Sequence, residues 1–346
     1  MKSVAMFNNK GGVGKTTLLC NLAAHLAKAL HKRVLVVDCD PQCNSTQLIM
    51  GESFAARFYW DDAHNEDCTT IADTLQPIQD GDSSISTQFT PIAAASNRFG
   101  VDLVAGHPSL SFLEDKLSIA WGEVSAGEIG GYRKTNWARN LCATFGTRYD
   151  VVLFDVGPSL GAINRSVLLG CDNFVTPMGT DIFSILGIRN ISKWLSEAIR
   201  TYEHGVSRCE EKTPGGMERF SIPANPSISD GFAGYTLNQY LTKSKGGQRI
   251  ATDRYEDIIK KVPAEIEDLR EKYGRSGLTK EDVKLGDVPH LYSLIPLAQT
   301  RAAPIIDLAG GDGIVGSQYK MVENYRKIIS TISLNFATNI GLEVAE

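Results

Sequence analysis

Two lysines stand five residues apart in Phe7-Asn8-Asn9-Lys10-Gly11-Gly12-Val13-Gly14-Lys15-Thr16-Thr17, near the start of the 346-residue chain. Gly14-Lys15-Thr16 matches the G-K-S/T end of a phosphate-binding loop, in which backbone N–H groups and a helix N-terminus surround phosphates. In that chemistry Lys15 reaches the β- and γ-phosphates, and the Thr16 hydroxyl ligates Mg²⁺. The flanks suit this reading. "KSVAMF" is a short apolar run of strand character, and "TTLLCNLAAHLAKAL" repeats its apolar residues at helical spacing. A glycine-rich turn with no ligand is the bland alternative, and the strand–loop–helix context weighs against it. The pattern G-x-x-x-x-G-K-S/T leaves Lys10 unexplained, because Asn9 occupies the first glycine position and Lys10 follows it.

Phosphoryl transfer to water needs positioning and charge neutralisation more than covalent chemistry, so a carboxylate is expected at the end of a neighbouring strand. Asp155 in "YDVVLFDVGPSLG" fits that place and would act through the water shell of Mg²⁺; the other reading is a helix cap or turn residue. A second buried-strand run, "RVLVVDCDP", also ends in acids, Asp38 and Asp40.

"KGGVGKTT" resembles the deviant Walker-A motif of the ParA/MinD family of P-loop ATPases. The resemblance implies an ATP and Mg²⁺ site in which Gly11, Gly12, Val13, Gly14, Lys15, Thr16 and Thr17 cradle the phosphates. It further implies that Lys10 crosses a homodimer interface to the partner subunit's nucleotide, although an exposed lysine serving its own subunit is the simpler alternative. "VVDCDPQCNST" resembles the family's switch I, usually D-x-D-P-Q-G-N. Asp40 would then orient the attacking water, and Asp38 would support the metal. Cys43 stands where glycine is common, which puts the backbone angles there in question. "DVGPS" resembles switch II, commonly D-x-P-P-S, with Gly157 in place of the first proline. "GYTLNQYL" and "SLIPLAQT" match late segments near the adenine, with Asn238 at the base edge and Pro296 against the ring; an asparagine at a strand end is otherwise a common turn former. The resemblance spans nearly the whole chain.

Composition narrows the class. With 42% hydrophobic and 22% charged residues the chain suits a globular protein with a sizeable core. A net charge of −5 means that any nucleic-acid contact must come from a local patch. Seven scattered cysteines without a C-x-x-C pair, and no leader-like start, point to a reducing cytoplasmic setting. The missing C-x-x-C also argues against iron–sulfur carriers and nitrogenase iron proteins, which share the loop. No apolar run approaches the roughly 20 residues of a membrane span.

Strand-like and helix-like runs alternate along the chain, which predicts an α/β fold with a mainly parallel sheet covered by helices on both faces. "VDLVAGH", "DNFVTPMGT", "FAGYTLNQYL" and "PHLYSLIPLA" read as further strands. "SLSFLEDKLSIAW", "TNWARNLCATFGTR", "FSILGIRNISKWLSEAIRTY" and "SQYKMVENYRKIISTISL" read as helices. "GEVSAGEIGGYRK" reads as a glycine-rich loop and "SRCEEKTPGGMERFSIPANPSISDG" as a surface loop. The expected organisation is a single P-loop ATPase domain over 1–346, with insertions at about 51–98 and 205–230 that are candidate partner surfaces.

Three functions fit. One is a partition or positioning ATPase whose ATP-bound dimer binds duplex DNA nonspecifically and is released by partner-stimulated hydrolysis. "LTKSKGGQRIATDRYEDIIKK" offers Lys243, Lys245, Arg249, Arg254, Lys260 and Lys261 for phosphates, and Arg189, Lys193 and Arg200 form a second candidate face. A solvated charged surface would look the same. The second, a MinD-like membrane-positioning ATPase, needs a basic amphipathic helix at the end, whereas no basic residue follows Lys327. The third is a nucleotide switch on a partner enzyme or complex, with no role for DNA. With no helix-turn-helix before Lys2, operator-specific autoregulation is not expected.

Overall fold

The computed structural model describes residues 1–60, 68–240, 242–245, 248–251 and 260–344. Its centre is a seven-stranded sheet formed by β1 (Lys2–Met6), β2 (Val34–Asp38), β3 (Asp102–Val104), β4 (Val151–Asp155), β5 (Asn173–Gly179), β6 (Phe232–Tyr240) and β9 (Lys284–Pro289), in the order β3-β2-β4-β1-β5-β6-β9. Every neighbouring pair is parallel. Two further strands, β7 (Thr242–Lys245) and β8 (Gln248–Ala251), pair antiparallel as a separate hairpin.

A parallel sheet must be covered on both faces, and strand alternation divides the core accordingly. Val4, Met6, Val34, Val36, Val151 and Leu153 face one helical layer: α1 (Lys15–Lys28), α2 (Asn44–Met50), α3 (Glu52–Trp60), α12 (Leu294–Arg301) and α13 (Gln318–Ile340). Ala5, Phe7, Leu35, Val37, Val152 and Phe154 face the other. That layer holds α4 (Ile71–Asp80), α5 (Leu113–Ala126), α6 (Ile129–Thr135), α7 (Trp137–Phe145), α8 (Ala162–Gly170), α9 (Ile182–Lys212), α10 (Gly216–Arg219) and α11 (Val262–Tyr273). The apolar stripe of α13, with Val322, Tyr325, Ile329, Ile332 and Phe336 buried, is spent on the sheet. No helix among the described residues is long and apolar enough to cross a membrane.

Three segments differ from the sequence expectations. The last strand is Lys284–Pro289, and "LIPLAQTR" is helix α12 instead of strand. A short apolar run suits either state, and Pro296 sits in the first turn, where its missing N–H costs nothing. The "GEVSAGEIGGYRK" stretch is largely helical, split between α5 and α6 by Gly127 in a left-handed conformation. Likewise α9 continues to Lys212, through part of the expected loop. Gly205 lies within it because α9 touches α5 there: a Cβ would come within 2.2 Å of the Val124 carbonyl oxygen.

Candidate nucleotide site

β1 delivers the chain into the loop, and two residues before Lys10 fix its course. Phe7 N–H donates to the Val175 carbonyl at 2.9 Å. Asn8 is fully buried; its amide donates to the Pro177 carbonyl at 2.7 Å, and its Oδ1 accepts from Lys10 N–H at 2.9 Å. Gly12 and Gly14 take left-handed angles, φ 73° and 81°, which side chains resist. Gly14 then starts α1, with Leu18 N–H donating to its carbonyl at 2.9 Å. The Lys15 side chain folds back over the loop and donates to the Lys10 carbonyl at 3.1 Å. Burial lowers its pKa, opposed by the charges of Asp155 and Asp40.

Asp38 and Asp155 end adjacent strands in register, one opposite the other. Asp38 accepts from Thr46 N–H at 2.9 Å, from Thr46 Oγ1 at 2.7 Å and from Asp40 N–H at 3.2 Å. Burial pushes its pKa up to about 6 despite the Thr46 bonds. Asp155 differs. Neither carboxylate oxygen has a hydrogen-bond partner of normal geometry, although it is 1% exposed. Burial, reinforced by the Asp38 charge, pushes its pKa up to about 7, while the nearby Thr16 and Ser45 hydroxyls act in the opposite sense. A buried carboxylate without partners is costly and asks for a ligand. Carboxylate and hydroxyl oxygens suit a hard divalent cation such as Mg²⁺. Among the described residues no group of three His, Cys, Asp or Glu side chains makes a protein-only metal cage. Asp155 and Thr16 would be the residues to hold such a cation, which would supply charge neutralisation at the phosphates.

A cavity of about 520 Å³ opens over this floor, lined by Gly12, Gly14, Lys15, Thr16, Asp40 and Pro296 among others. Gly11 and Thr17 also border it. Asp40 Oδ1 accepts from Gln42 N–H at 3.0 Å. A Cβ at residue 157 would lie 3.3 Å from that oxygen, so the glycine in switch II makes room for the switch I acid. Cys43, in the usual glycine place, adopts φ 53°, ψ 34° and so keeps the left-handed turn.

The remaining expected site residues stand apart. Val13 is buried beneath the loop, and its carbonyl accepts from the Asn238 amide at 2.9 Å. Asn238 thus braces the loop; its Oδ1 is buried without a partner beside a small pocket that includes Thr17, Ile295 and Tyr325. Lys10 does not line the cavity: its ammonium meets Asp181 at 2.5 Å. Lys243 and Lys245 lie on β7 and Arg249 on β8, while Arg254 lies outside the described residues. Lys260 and Lys261 immediately precede α11. Arg189 is paired with Glu265, and Lys193 and Arg200 line a separate cavity of about 540 Å³ that Asp268 and Lys272 share. That face carries both signs of charge. Sequence reasoning missed Glu52 on the cavity wall and, within "SLIPLAQT", singled out Pro296 but not Gln299 and Thr300, which also line it. It also missed Asn164, whose amide holds the Gly157 and Ser159 carbonyls at 2.7 Å each. No local motif marks Glu52 or Asn164.

Residues 1–207 match the family model AAA_31, described as an AAA domain. The chain belongs to this family, a ParA/MinD-like group of P-loop ATPases. Its relatives include the virulence plasmid ParA family protein pGP5-D of Chlamydia muridarum, 27% identical over 195 residues, or 56% of this chain and 62% of that one. The match thus spans less than two thirds of that relative's own length. The crystal structure of DIP2308 from Corynebacterium diphtheriae superposes with a TM-score of 0.75 at 32% identity, covering 98% of this chain and 99% of the other. pNOB8 ParA bound to nonspecific DNA shares the fold, with a TM-score of 0.53 at 16% identity over 98% of each chain.

Proposed function

We propose that the chain, acting as one P-loop unit over 1–346, is a ParA-type ATPase that alternates between an ATP-bound homodimer and an ADP-bound or free monomer. In this reading it positions or partitions DNA or another cargo and hydrolyses ATP slowly until a partner protein stimulates it. The observation that carries the reading is the division of labour between the two lysines: Lys15 arches over the loop at the cavity, while Lys10 points out of it toward α9. A lysine serving its own subunit's nucleotide would be expected at the cavity wall. Exposed apolar side chains lie beside Lys10, with Ile182 56% and Phe183 70% exposed, and such a patch fits burial against a second copy. Asp155 and Thr16 would hold the Mg²⁺, Asp38 would support that site through Thr46, and Asp40 would orient the water.

The second reading, a nucleotide switch on a partner enzyme or complex without DNA, draws on α3. Its Glu52 borders the cavity, and its Tyr59 hydroxyl donates to the Gly106 carbonyl at 2.8 Å beside switch I. That helix could carry the nucleotide state outward. The test of the first reading is Lys10→Ala with ATP and Mg²⁺. The variant is expected to bind ATP through Lys15 and the loop amides, yet to fail to dimerise and to lose hydrolysis. Light scattering that shows a dimer like the wild type's would return Lys10 to its own subunit.

A further inference from the structure

Switch II is held by a side chain that belongs neither to the loop nor to the nucleotide cavity. α8 begins at Ala162, directly after the switch, and the first N–H groups of a helix need acceptors from outside it. Gly161, at the cap position, has no side chain to offer. Glu114, in the first turn of α5, serves instead: its Oε1 accepts from Ala162 N–H, and its Oε2 accepts from Ile163 N–H at 3.0 Å. A carboxylate placed there makes charge-assisted bonds and meets the positive end of the helix dipole. The approach requires the glycine, since a Cβ at residue 161 would overlap Glu114 Oε1.

The same turn of α8 carries the buried Asn164, which holds the Gly157 and Ser159 carbonyls. Pro158, between them, borders the nucleotide cavity, and Gly157 leaves the room that Asp40 occupies. Arg165, the next residue of α8, is clamped as well. Its guanidinium lies 4.8 Å from the ring centre of Trp121 on α5 and 5.8 Å from that of Trp194 on α9, near enough to Glu114 to feel its charge. α5 thus grips the start of α8 at two points.

We infer that Glu114 is a positioning residue for hydrolysis: by fixing the first turn of α8 it holds Asn164, and through Asn164 the switch II backbone, in the place that leaves room for Asp40. Glu114 does not line the cavity, so its loss acts on turnover and leaves nucleotide binding intact. The kinetic consequence rests on the ATPase reading, whereas the grip itself can be measured without turnover.

The variants are Glu114→Ala, which removes both acceptors, and Glu114→Gln, which keeps one. In the nucleotide-free full chain, hydrogen–deuterium exchange of the amides in 157–164 is expected to be about ten-fold faster in Glu114→Ala, with β1 and β5 unchanged. Unchanged exchange in 157–164 overturns the grip. A rise shared by the whole sheet also overturns it, because Glu114 would then stabilise only the fold at large. With ATP and Mg²⁺, kcat of Glu114→Ala is expected to fall about ten-fold while KM and affinity for a fluorescent ATP analogue stay at the wild-type values, and Glu114→Gln is expected to fall in between. A raised KM at wild-type kcat refutes the positioning role, as does a glutamine variant no faster than the alanine one. If the wild type hydrolyses no ATP, the ATPase reading fails while the exchange rates still decide whether Glu114 holds switch II. Should Glu114→Ala fail to fold, Gly161→Ala displaces the same carboxylate and is expected to speed exchange in 157–164 likewise; an unchanged rate there counts against the grip.

Discussion

Replacing Asp155 by asparagine removes a charge that the protein's own groups leave without a partner. Because the folded pKa of Asp155, about 7, lies above its ordinary value of 3.8, its contribution to stability is full below the ordinary value and is lost as the pH rises through 7. Relative to low pH, this shift costs the folded chain about 4 kcal/mol above pH 7, and about 2 kcal/mol at pH 5, where the folded carboxyl is protonated and the unfolded one is not. The neutral carboxyl and the asparagine amide lack the same partners in that pocket, so that cost cancels in the comparison. The net expectation is a variant more stable than the wild type by about 4 kcal/mol at pH 8 and by about 2 kcal/mol at pH 5. Urea denaturation of the nucleotide-free protein at the two pH values measures this directly. The same variant should lose most of the stabilisation that ATP with Mg²⁺ gives the wild type, because binding that is specific to the native state shifts the midpoint by mass action. A pH-independent effect, or a variant weaker than the wild type at pH 8, would show that Asp155 is not held as an unsatisfied acid.

Lys15→Ala should lose nucleotide binding because the phosphates lose a charge-assisted contact, whereas Asp40→Ala should bind ATP and stay closed; wild-type turnover in Asp40→Ala would remove it from the water-positioning role. Cys43→Gly relieves a left-handed angle at a non-glycine residue and should leave thermal stability unchanged or raise it by up to about 1 kcal/mol, a comparison that calorimetry can make. If the hairpin lysines serve DNA, duplex binding should require ATP and fall steeply with salt. Lys245→Ala combined with Arg249→Ala should then weaken binding to all sequences alike in a fluorescence anisotropy titration. Binding indifferent to nucleotide and salt would favour the switch reading without DNA.

The loop and its acids were legible in the sequence because their constraints are local. Left-handed glycines, a buried strand and a helix start adjoin one another within residues 2–28, and Asp38 and Asp155 each close an apolar run. What could not be read depends on partners far along the chain. Asn8 is fixed by Pro177, Lys10 by Asp181, and Val13 by Asn238, contacts spanning 169 residues or more. The α12 helix was misread for a different reason: "LIPLA" is too short for its periodicity to separate strand from helix. The glycines of α6 were taken for loop signals because close helix contact and chain flexibility ask for the same residue type.

The central place of β1 has a consequence for how the protein is made. Lys2–Met6 leaves the ribosome before the other strands of the sheet, but its two neighbours, Val151–Asp155 and Asn173–Gly179, are the fourth and fifth strands. At about 5–20 residues per second, roughly 10–30 s pass before β1 can be enclosed on both edges. During that interval the Lys10 to Thr17 loop has no floor, because Asp155 has not yet arrived beneath it. Nucleotide cannot guide the early steps of folding; it can only reward the finished sheet. Destabilising changes in β4 or β5 should therefore appear first as poor yield of nascent protein, before any loss of nucleotide affinity in the molecules that survive.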